Sequence, residues 1–117
     1  MANIESIRNV VLCGHGSSGK TTLVDRFLTM TGAASGNPSV DDGTSICDFD
    51  PEEKTHQYSI EACVTHFQHA DREFNVIDTP GYPDFIGQAI GPMHAVENAV
   101  IVVNAASGIE VNTRRVY

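Results

Sequence analysis

The sequence lacks several features that would assign it to a specialised class of protein. It has no Trp, three Cys in 117 residues, and no apolar run near the roughly 18 residues that a membrane-spanning helix needs. Met1 to Val10 has neither the basic start nor the long apolar stretch of a signal peptide. An odd number of cysteines without short paired spacing argues against a disulfide framework and against a zinc knuckle. These absences predict a cytoplasmic protein with reduced thiols and no membrane partner.

Basic residues are also scarce, because 7 Lys and Arg face 15 Asp and Glu and leave a net charge of -8. Such a balance argues against direct non-specific binding to nucleic acid, which needs clustered positive charge. The acids concentrate between Asp41 and Lys54, where Lys54 is the only base. This run lies within 33–56, a stretch that we expect to be a long loop, mobile or functional. The charge run predicts a solvated segment, with a metal site as the less common alternative.

The residues that are present indicate one α/β unit. A composition of 41% hydrophobic and 19% charged residues is that of an ordinary globular domain. Apolar patterning predicts strands over 7–13, 59–67, 73–78 and 99–103, and helices over 19–31, 82–97 and from 110 onward. In the second strand, Ile60, Ala62 and Val64 share one face, and Ser59, Glu61 and Thr65 share the other. The second and third strands should pair as a hairpin around a turn at 68–72, within a mostly parallel sheet.

A glycine-rich segment between the first strand and the first helix carries the clearest functional signal. Residues 14–21 read Gly-His-Gly-Ser-Ser-Gly-Lys-Thr and fit the pattern G-x-x-x-x-G-K-[ST]. Glycines let backbone N–H groups approach phosphate oxygens, and the following helix adds its positive dipole end. Lys20 is expected to reach the β- and γ-phosphates of a nucleotide, and the Thr21 hydroxyl to ligate Mg²⁺.

A second motif follows the third predicted strand and reads Asp78-Thr79-Pro80-Gly81. A protein with a phosphate loop of this kind needs an acid at the end of a neighbouring strand to hold Mg²⁺, and Asp78 has that place. The backbone N–H of Gly81 is then available to a γ-phosphate, and Pro80 stiffens the approach. A plain turn without a ligand is the alternative interpretation.

Together these motifs resemble those of translational GTPases, and most closely those of elongation factor G and its relatives. Residues 14–22 stand where that family has GHxDxGKTT, and residues 78–85 where it has DTPGHVDF. The segment 44–60 is similar to the first switch of the family. Residues 99–111 look like the next strand and its D-A-x-x-G-V loop. The resemblance covers nearly the whole chain.

The resemblance implies a P-loop NTPase G-domain fold that binds GTP or GDP with Mg²⁺ and hydrolyses GTP. The complete protein would act on the ribosome, in translocation or a related step. Ser59 matches the switch residue that completes Mg²⁺ coordination beside Thr21 and Asp78. The catalytic candidates are Lys20, Gly81 and Tyr82. The candidate nucleotide-binding residues are Gly14, His15, Gly16, Ser17, Ser18, Gly19, Lys20, Thr21, Thr22, Ser59, Asp78 and Gly81.

Three departures from the family pattern affect the expected activity. Ser17 stands where the family usually has Asp, and Gln57-Tyr58 stand where it has Arg-Gly. Tyr82 replaces the His that orients the attacking water. A phenol is mostly a hydrogen-bond donor at pH 7 and titrates near ~10. We therefore expect retained nucleotide binding with slow or altered hydrolysis, unless Tyr82 points away and packs elsewhere.

The guanine-reading motif N-K-x-D and the motif S-A-[KL] do not occur in these residues. Residues 1–117 are thus predicted to be the N-terminal portion of a G domain, truncated on its C-terminal side and without the base-recognition part. A nucleotide-binding switch module without significant hydrolysis, and an unrelated P-loop ATPase or small-molecule kinase, remain as alternatives. The apolar strand predicted from Ala99 to Val103 would lack a neighbour, so self-association through this edge is expected.

Overall fold

The computed structural model describes residues 3–117, so Met1 and Ala2, which open the segment predicted not to be a signal peptide, lie outside the described residues. The strands are β1 (Ile7–Cys13), β2 (Cys63–His69), β3 (Arg72–Asp78) and β4 (Asn98–Ile101). The helices are α1 (Lys20–Met30), α2 (Pro51–His56), α3 (Ile86–Met93) and α4 (Val111–Val116). Single 3₁₀ turns occur at Ile4–Ser6 and Pro83–Phe85. Within residues 3–117, no helix has both the length and the apolar character to cross a membrane.

The four strands form one sheet in the order β2-β3-β1-β4. β1 pairs in parallel with β3 and with β4, whereas β2 and β3 are antiparallel. This confirms the predicted mostly parallel sheet with one antiparallel hairpin. Leu12 near the end of β1 lies opposite Asp78 at the end of β3. The register therefore brings Asp78 to the edge of the sheet where the glycine-rich segment begins.

Helices cover both faces of the sheet because β1 alternates its buried side chains between them. On one face, α1 packs over a core that contains Leu12, Val24 and Phe67. On the other face, Val11 and Cys13 contact α3 through Ala89 and α4 through Val116. The protein is thus a three-layer α/β unit with its two loops of interest at the carboxyl ends of β1 and β3.

The hairpin differs from its prediction in extent, and a polar residue of β2 is buried in it. β2 begins at Cys63 rather than at Ser59, and Val64 is 69% exposed while Thr65 is buried. The Thr65 hydroxyl donates to the carbonyl of Val76 at 3.2 Å, so a polar residue fits the inward face. The turn is also tighter than predicted, since Ala70 and Asp71 alone form it, both with positive φ as in primed hairpin turns.

The predicted long acidic loop contains a short helix, so the prediction of a loop over 33–56 was wrong for α2. Asp50 and Glu53 form a capping box at its start, and Pro51 occupies the first helical position. Asp41, Asp42, Asp50 and Glu52 are exposed, as predicted for a solvated segment, but Glu53 is 1% exposed and Asp48 is 2% exposed. Glu53 accepts hydrogen bonds from the backbone of Asp50, Ile60 and Glu61, which offsets the burial of its carboxylate.

The remaining elements follow the predicted order with shorter bounds. The helical region predicted over 82–97 is a 3₁₀ turn followed by α3, which carries Pro92 near its C-terminal end. β4 is four residues long and lies at the edge of the sheet, where Val100 is 43% exposed. Its far edge pairs with no other strand among residues 3–117.

Candidate functional site

The glycine-rich segment joins β1 to α1 in a backbone conformation that requires glycine at two positions. Gly14 has φ +144°, and a Cβ atom there would collide with the carbonyl oxygen of Val102. Gly19 has φ +95° and caps the start of α1 in the left-handed region. Ser17 also adopts a positive φ of 59°. The segment therefore forms the curved loop that the motif predicts, with α1 starting at its end.

Lys20 lies against this loop instead of extending into solvent. Its side chain is buried, and its Nζ donates to the carbonyl oxygens of Gly14 at 3.2 Å and His15 at 2.8 Å. Burial lowers the pKa of Lys20, and the neighbouring Asp78 carboxylate opposes this effect. An ammonium group is thus held at the phosphate-facing segment, on the side of the loop that Asp78 also approaches.

A cluster of hydroxyls and carboxylates connects three separate parts of the chain. Thr21 Oγ1 donates to Asp78 Oδ2 at 2.5 Å and lies 3.0 Å from Ser59 Oγ. Ser59 Oγ in turn donates to Asp48 Oδ1 at 2.6 Å. We call Thr21, Asp48, Ser59 and Asp78 the oxygen cluster. It places all three predicted metal ligands side by side and adds Asp48.

Both carboxylates of the oxygen cluster are buried and only partly satisfied. Asp78 Oδ1 and Asp48 Oδ2 have no hydrogen-bond partner. Burial raises the pKa of Asp78 to about 7, although the Thr21 hydroxyl and the Lys20 charge act in the opposite direction. Burial also raises the pKa of Asp48, against the hydrogen bond from Ser59. The cluster therefore holds more acceptor oxygens than its own protons can serve.

These properties fit Mg²⁺. Each hydroxyl has one proton, which it donates to a carboxylate. When both acids are ionised, no proton is therefore left for a hydrogen bond between the Thr21 and Ser59 oxygens, which lie 3.0 Å apart. Magnesium prefers oxygen ligands and is usually held by one or two carboxylates together with phosphate and water. Residues 3–117 contain no group of three His, Cys, Asp or Glu side chains that could hold a metal. The oxygen cluster is instead a mixed set of hydroxyls and two acids.

The second motif lies directly on the glycine-rich loop. A Cβ atom on Gly81 would come within 2.5 Å of the Gly16 nitrogen and 2.6 Å of both the His15 carbonyl carbon and Lys20 Nζ. Any side chain at this position would push the two loops apart. Gly81 therefore permits an approach of backbone to backbone that other residues would prevent.

Tyr82 follows Gly81 and its ring faces the same cavity, so it does not point away from the site. A Cβ atom on Gly16 would lie 2.8 Å from Tyr82 Cζ, which places the ring against the loop. On its other side the ring packs against Tyr58, with centroids 4.6 Å apart and planes tilted by 50°. The Tyr58–Tyr82 pair thus forms an aromatic wall beside Lys20.

The two motifs enclose a cavity of about 220 Å³. Eight of the predicted nucleotide-binding residues line it, namely Gly16, Ser17, Gly19, Lys20, Thr21, Thr22, Ser59 and Gly81, and the catalytic candidate Tyr82 lines it as well. Gly14, His15, Ser18 and Asp78 do not line it; Asp78 reaches it through Thr21, and His15 Nε2 lies 3.7 Å from Glu110 Oε1. The sequence prediction missed Asp48 and Tyr58 as lining residues. Nothing in the sequence separated Asp48 from the other acids of the acidic run, and Tyr58 was marked only by its departure from the family pattern.

Known proteins resemble this chain in sequence and in fold. The family described as elongation factor Tu GTP binding domain matches residues 5–117. An elongation factor G-like protein of Mycobacterium tuberculosis is 36% identical over 111 residues, covering 95% of this chain and 16% of that protein. Elongation factor G 2 of Streptomyces coelicolor is 33% identical over 114 residues, covering 97% and 17%. A crystal structure of a Thermus thermophilus protein matches 95% of this chain and 17% of its own with a TM-score of 0.92 at 37% identity.

The chain spans about one sixth of the length of the curated relatives that it matches, 16% and 17% for the two proteins above. The matched residues 5–117 contain the glycine-rich loop, the oxygen cluster and the second motif. The resemblance to elongation factor G relatives that the motifs indicated is thereby confirmed. This chain belongs to the elongation factor Tu GTP binding domain family, and elongation factor G-like proteins are among its relatives.

Proposed function

We propose that residues 1–117 are the N-terminal, phosphate-binding portion of a domain that binds and hydrolyses GTP in an elongation-factor-G-like protein. The observation that carries this proposal is the oxygen cluster, two of whose buried carboxylate oxygens lack a partner, beside the glycine-rich loop with its Lys20. The motif N-K-x-D is absent from these residues, so guanine recognition would depend on other parts of the complete protein. A cytoplasmic, ribosome-linked step of translation fits the relatives named above.

The proposed roles follow from the position of each group. Thr21, Ser59 and Asp78 would hold Mg²⁺, which supplies charge neutralisation for the phosphates when it is bound. Lys20 is placed to exchange its two backbone carbonyl partners for β- and γ-phosphate oxygens. The loop that carries Gly81 lies against Gly16 and His15, so its backbone N–H is proposed to read the γ-phosphate.

Tyr82 supports the proposal of slow hydrolysis. Its ring faces the cavity and is held between Gly16 and Tyr58, at the position where the family carries His. A phenol offers a proton to water but accepts one weakly near pH 7, so it is a poor general base. We propose that nucleotide binding is retained while turnover is slow, with a binding switch without significant hydrolysis as the alternative.

Steady-state GTP turnover by the complete protein, with and without ribosomes, tests this function. The wild type should turn over slowly, and Tyr82→His should be faster by about tenfold or more, since a positioned general base contributes roughly 10²–10⁴-fold. Tyr82→Phe is the matched control, because it keeps the ring and removes only the hydroxyl. Fast wild-type turnover would overturn the proposal of slow hydrolysis.

The binding-switch alternative has its own signature in the same experiment. Tight GTP binding by the wild type without any turnover, with and without ribosomes, would favour a module that binds nucleotide and does not hydrolyse it. Tyr82 is the residue that favours this candidate, since it removes the imidazole that the family uses.

A further inference from the structure

The start of α4 contacts both loops of the nucleotide site. Asn112 Nδ2 donates a hydrogen bond to the carbonyl oxygen of Gly81 at 2.5 Å, across 31 positions of sequence. Glu110, which precedes the helix, has its Oε1 3.7 Å from His15 Nε2 in the glycine-rich loop. α4 is anchored in the core through Val116. One short segment, Glu110 to Asn112, therefore contacts both the second motif and the glycine-rich loop.

Asn112 is a polar residue in a buried position, where an amide costs free energy unless it is hydrogen-bonded. Its side chain is 1% exposed, and its Oδ1 atom has no hydrogen-bond partner. An apolar residue of similar size would avoid the cost of burying that oxygen. The single hydrogen bond to Gly81 is what the amide gains in return. This bond attaches the second motif to α4.

The carbonyl oxygen to which Asn112 donates belongs to Gly81, the residue of the second motif that lies against the glycine-rich loop. The carbonyl of Gly81 is in the peptide unit that joins Gly81 to Tyr82, so the bond restrains the orientation of both residues. Gly81 is also in close contact with Gly16 and His15, and no side chain could be accommodated between them. A small rotation of this peptide would shift the Gly81 backbone relative to Lys20.

We propose that Asn112 is a positioning residue that fixes the loop of Gly81 for contact with the γ-phosphate and so couples α4 to the choice between GTP and GDP. This inference rests on the proposed function, because it assigns a reader of the γ-phosphate to a site that binds both nucleotides. The coupling is reciprocal. A ligand that shifts the equilibrium between two positions of α4 changes GTP affinity, and GTP changes the affinity for that ligand by the same factor.

The test measures GTP and GDP dissociation constants by calorimetry for the complete protein and three variants. Asn112→Ala removes the side chain, and Asn112→Asp keeps its size while it removes the donor. The matched control is Thr113→Val, because Thr113 is the next residue of α4, is also buried and has a hydroxyl without a partner. A second readout is hydrogen–deuterium exchange across residues 80–85 without nucleotide, which depends on the bond and not on GTP binding.

Asn112→Ala and Asn112→Asp should weaken GTP binding about tenfold, as expected for one lost buried hydrogen bond, and change GDP binding by less than about twofold. Exchange across 80–85 should rise in both variants, and Thr113→Val should match the wild type in every measurement. Equal weakening of GTP and GDP would assign Asn112 a structural role only and overturn the inference. Unchanged exchange across 80–85 in both Asn112 variants would overturn the inference even if the ratio of the GTP and GDP dissociation constants changed. If the wild-type protein bound neither GTP nor GDP, while the Asn112 variants still exchanged faster than it across 80–85, the proposed function would be overturned. The role assigned to the Asn112 contact would then fail with it.

Discussion

Replacing Ser59 by Ala is expected to loosen the segment 44–61, because it removes a hydroxyl that bonds to Asp48 within the segment and lies 3.0 Å from Thr21 outside it. Ser59 is 8% exposed, and its hydroxyl donates to Asp48 Oδ1 at 2.6 Å. The variant leaves Asp48 buried without any hydrogen-bond partner, because its other oxygen already lacks one. A hydrogen bond to a charged group contributes about 1.5–3 kcal/mol. Because about 1.4 kcal/mol is a factor of ten in an equilibrium constant, local opening should become roughly 10- to 150-fold more frequent.

The effect should depend on pH in a defined direction. The Ser59 hydrogen bond holds down the pKa of Asp48, which burial raises. The contribution of Ser59 is therefore present when Asp48 is ionised and is lost as the pH falls and the acid becomes protonated. The difference between Ser59→Ala and the wild type should shrink at low pH.

Hydrogen–deuterium exchange of the nucleotide-free complete protein measures this opening. The reporters are the amides of Ile60 and Glu61, which donate to Glu53 Oε1, and of Ile46, which donates to Asp25. Thr55→Ala is the matched control, since its exposed hydroxyl bonds only within α2, and a surface change of this kind stays within about 0.5 kcal/mol. If Ser59→Ala exchanged no faster than Thr55→Ala, the oxygen cluster would not hold the segment in place.

Three further predictions concern the loops and the sheet edge. Gly81→Ala should weaken nucleotide binding far more than Gly16→Ala in calorimetry, because the added methyl meets backbone atoms at Gly81 and a movable Tyr82 ring at Gly16; equal losses would refute this reasoning. In EDTA without nucleotide, the folded protein holds a proton on Asp78 up to a pKa of about 7, against an ordinary value of 3.8, so stability should fall as the pH rises between these values. Thermal melts in which Asp78→Asn keeps the wild-type slope would contradict it. Residues 1–117 alone should self-associate through the exposed edge of β4, and Val100→Lys should give a monomer on size-exclusion chromatography. A wild-type fragment that elutes as a monomer would contradict self-association through β4.

Local sequence signals predicted the parts of the site that depend on neighbours in the chain. The glycine-rich loop needs only its own glycines and the start of α1. Asp78 could be placed because the ends of parallel strands meet at one edge of the sheet, as the pairing of Leu12 with Asp78 shows. The roles of these residues toward a nucleotide remain predictions.

Contacts made over long separations could not be read from the sequence. Asn112 donates to a backbone carbonyl, and this partner leaves no trace in side-chain patterning. Asp48 was hidden in an acidic run whose other members are mostly exposed, and its burial depends on Ser59. The buried face of β2 could not be read from its alternating pattern, because the hydroxyl of Thr65 bonds to a carbonyl inside the sheet and the polar residue is the buried one.

Competition between GTP and ATP for the complete protein in the presence of Mg²⁺ tests the central claim most directly. We expect that GTP binds, that EDTA or Asp78→Asn weakens this binding, and that ATP does not displace GTP. Binding of ATP that equals or exceeds that of GTP would contradict the assignment of a GTP site. Binding of GTP that is indifferent to Mg²⁺ would contradict the role proposed for Thr21, Ser59 and Asp78.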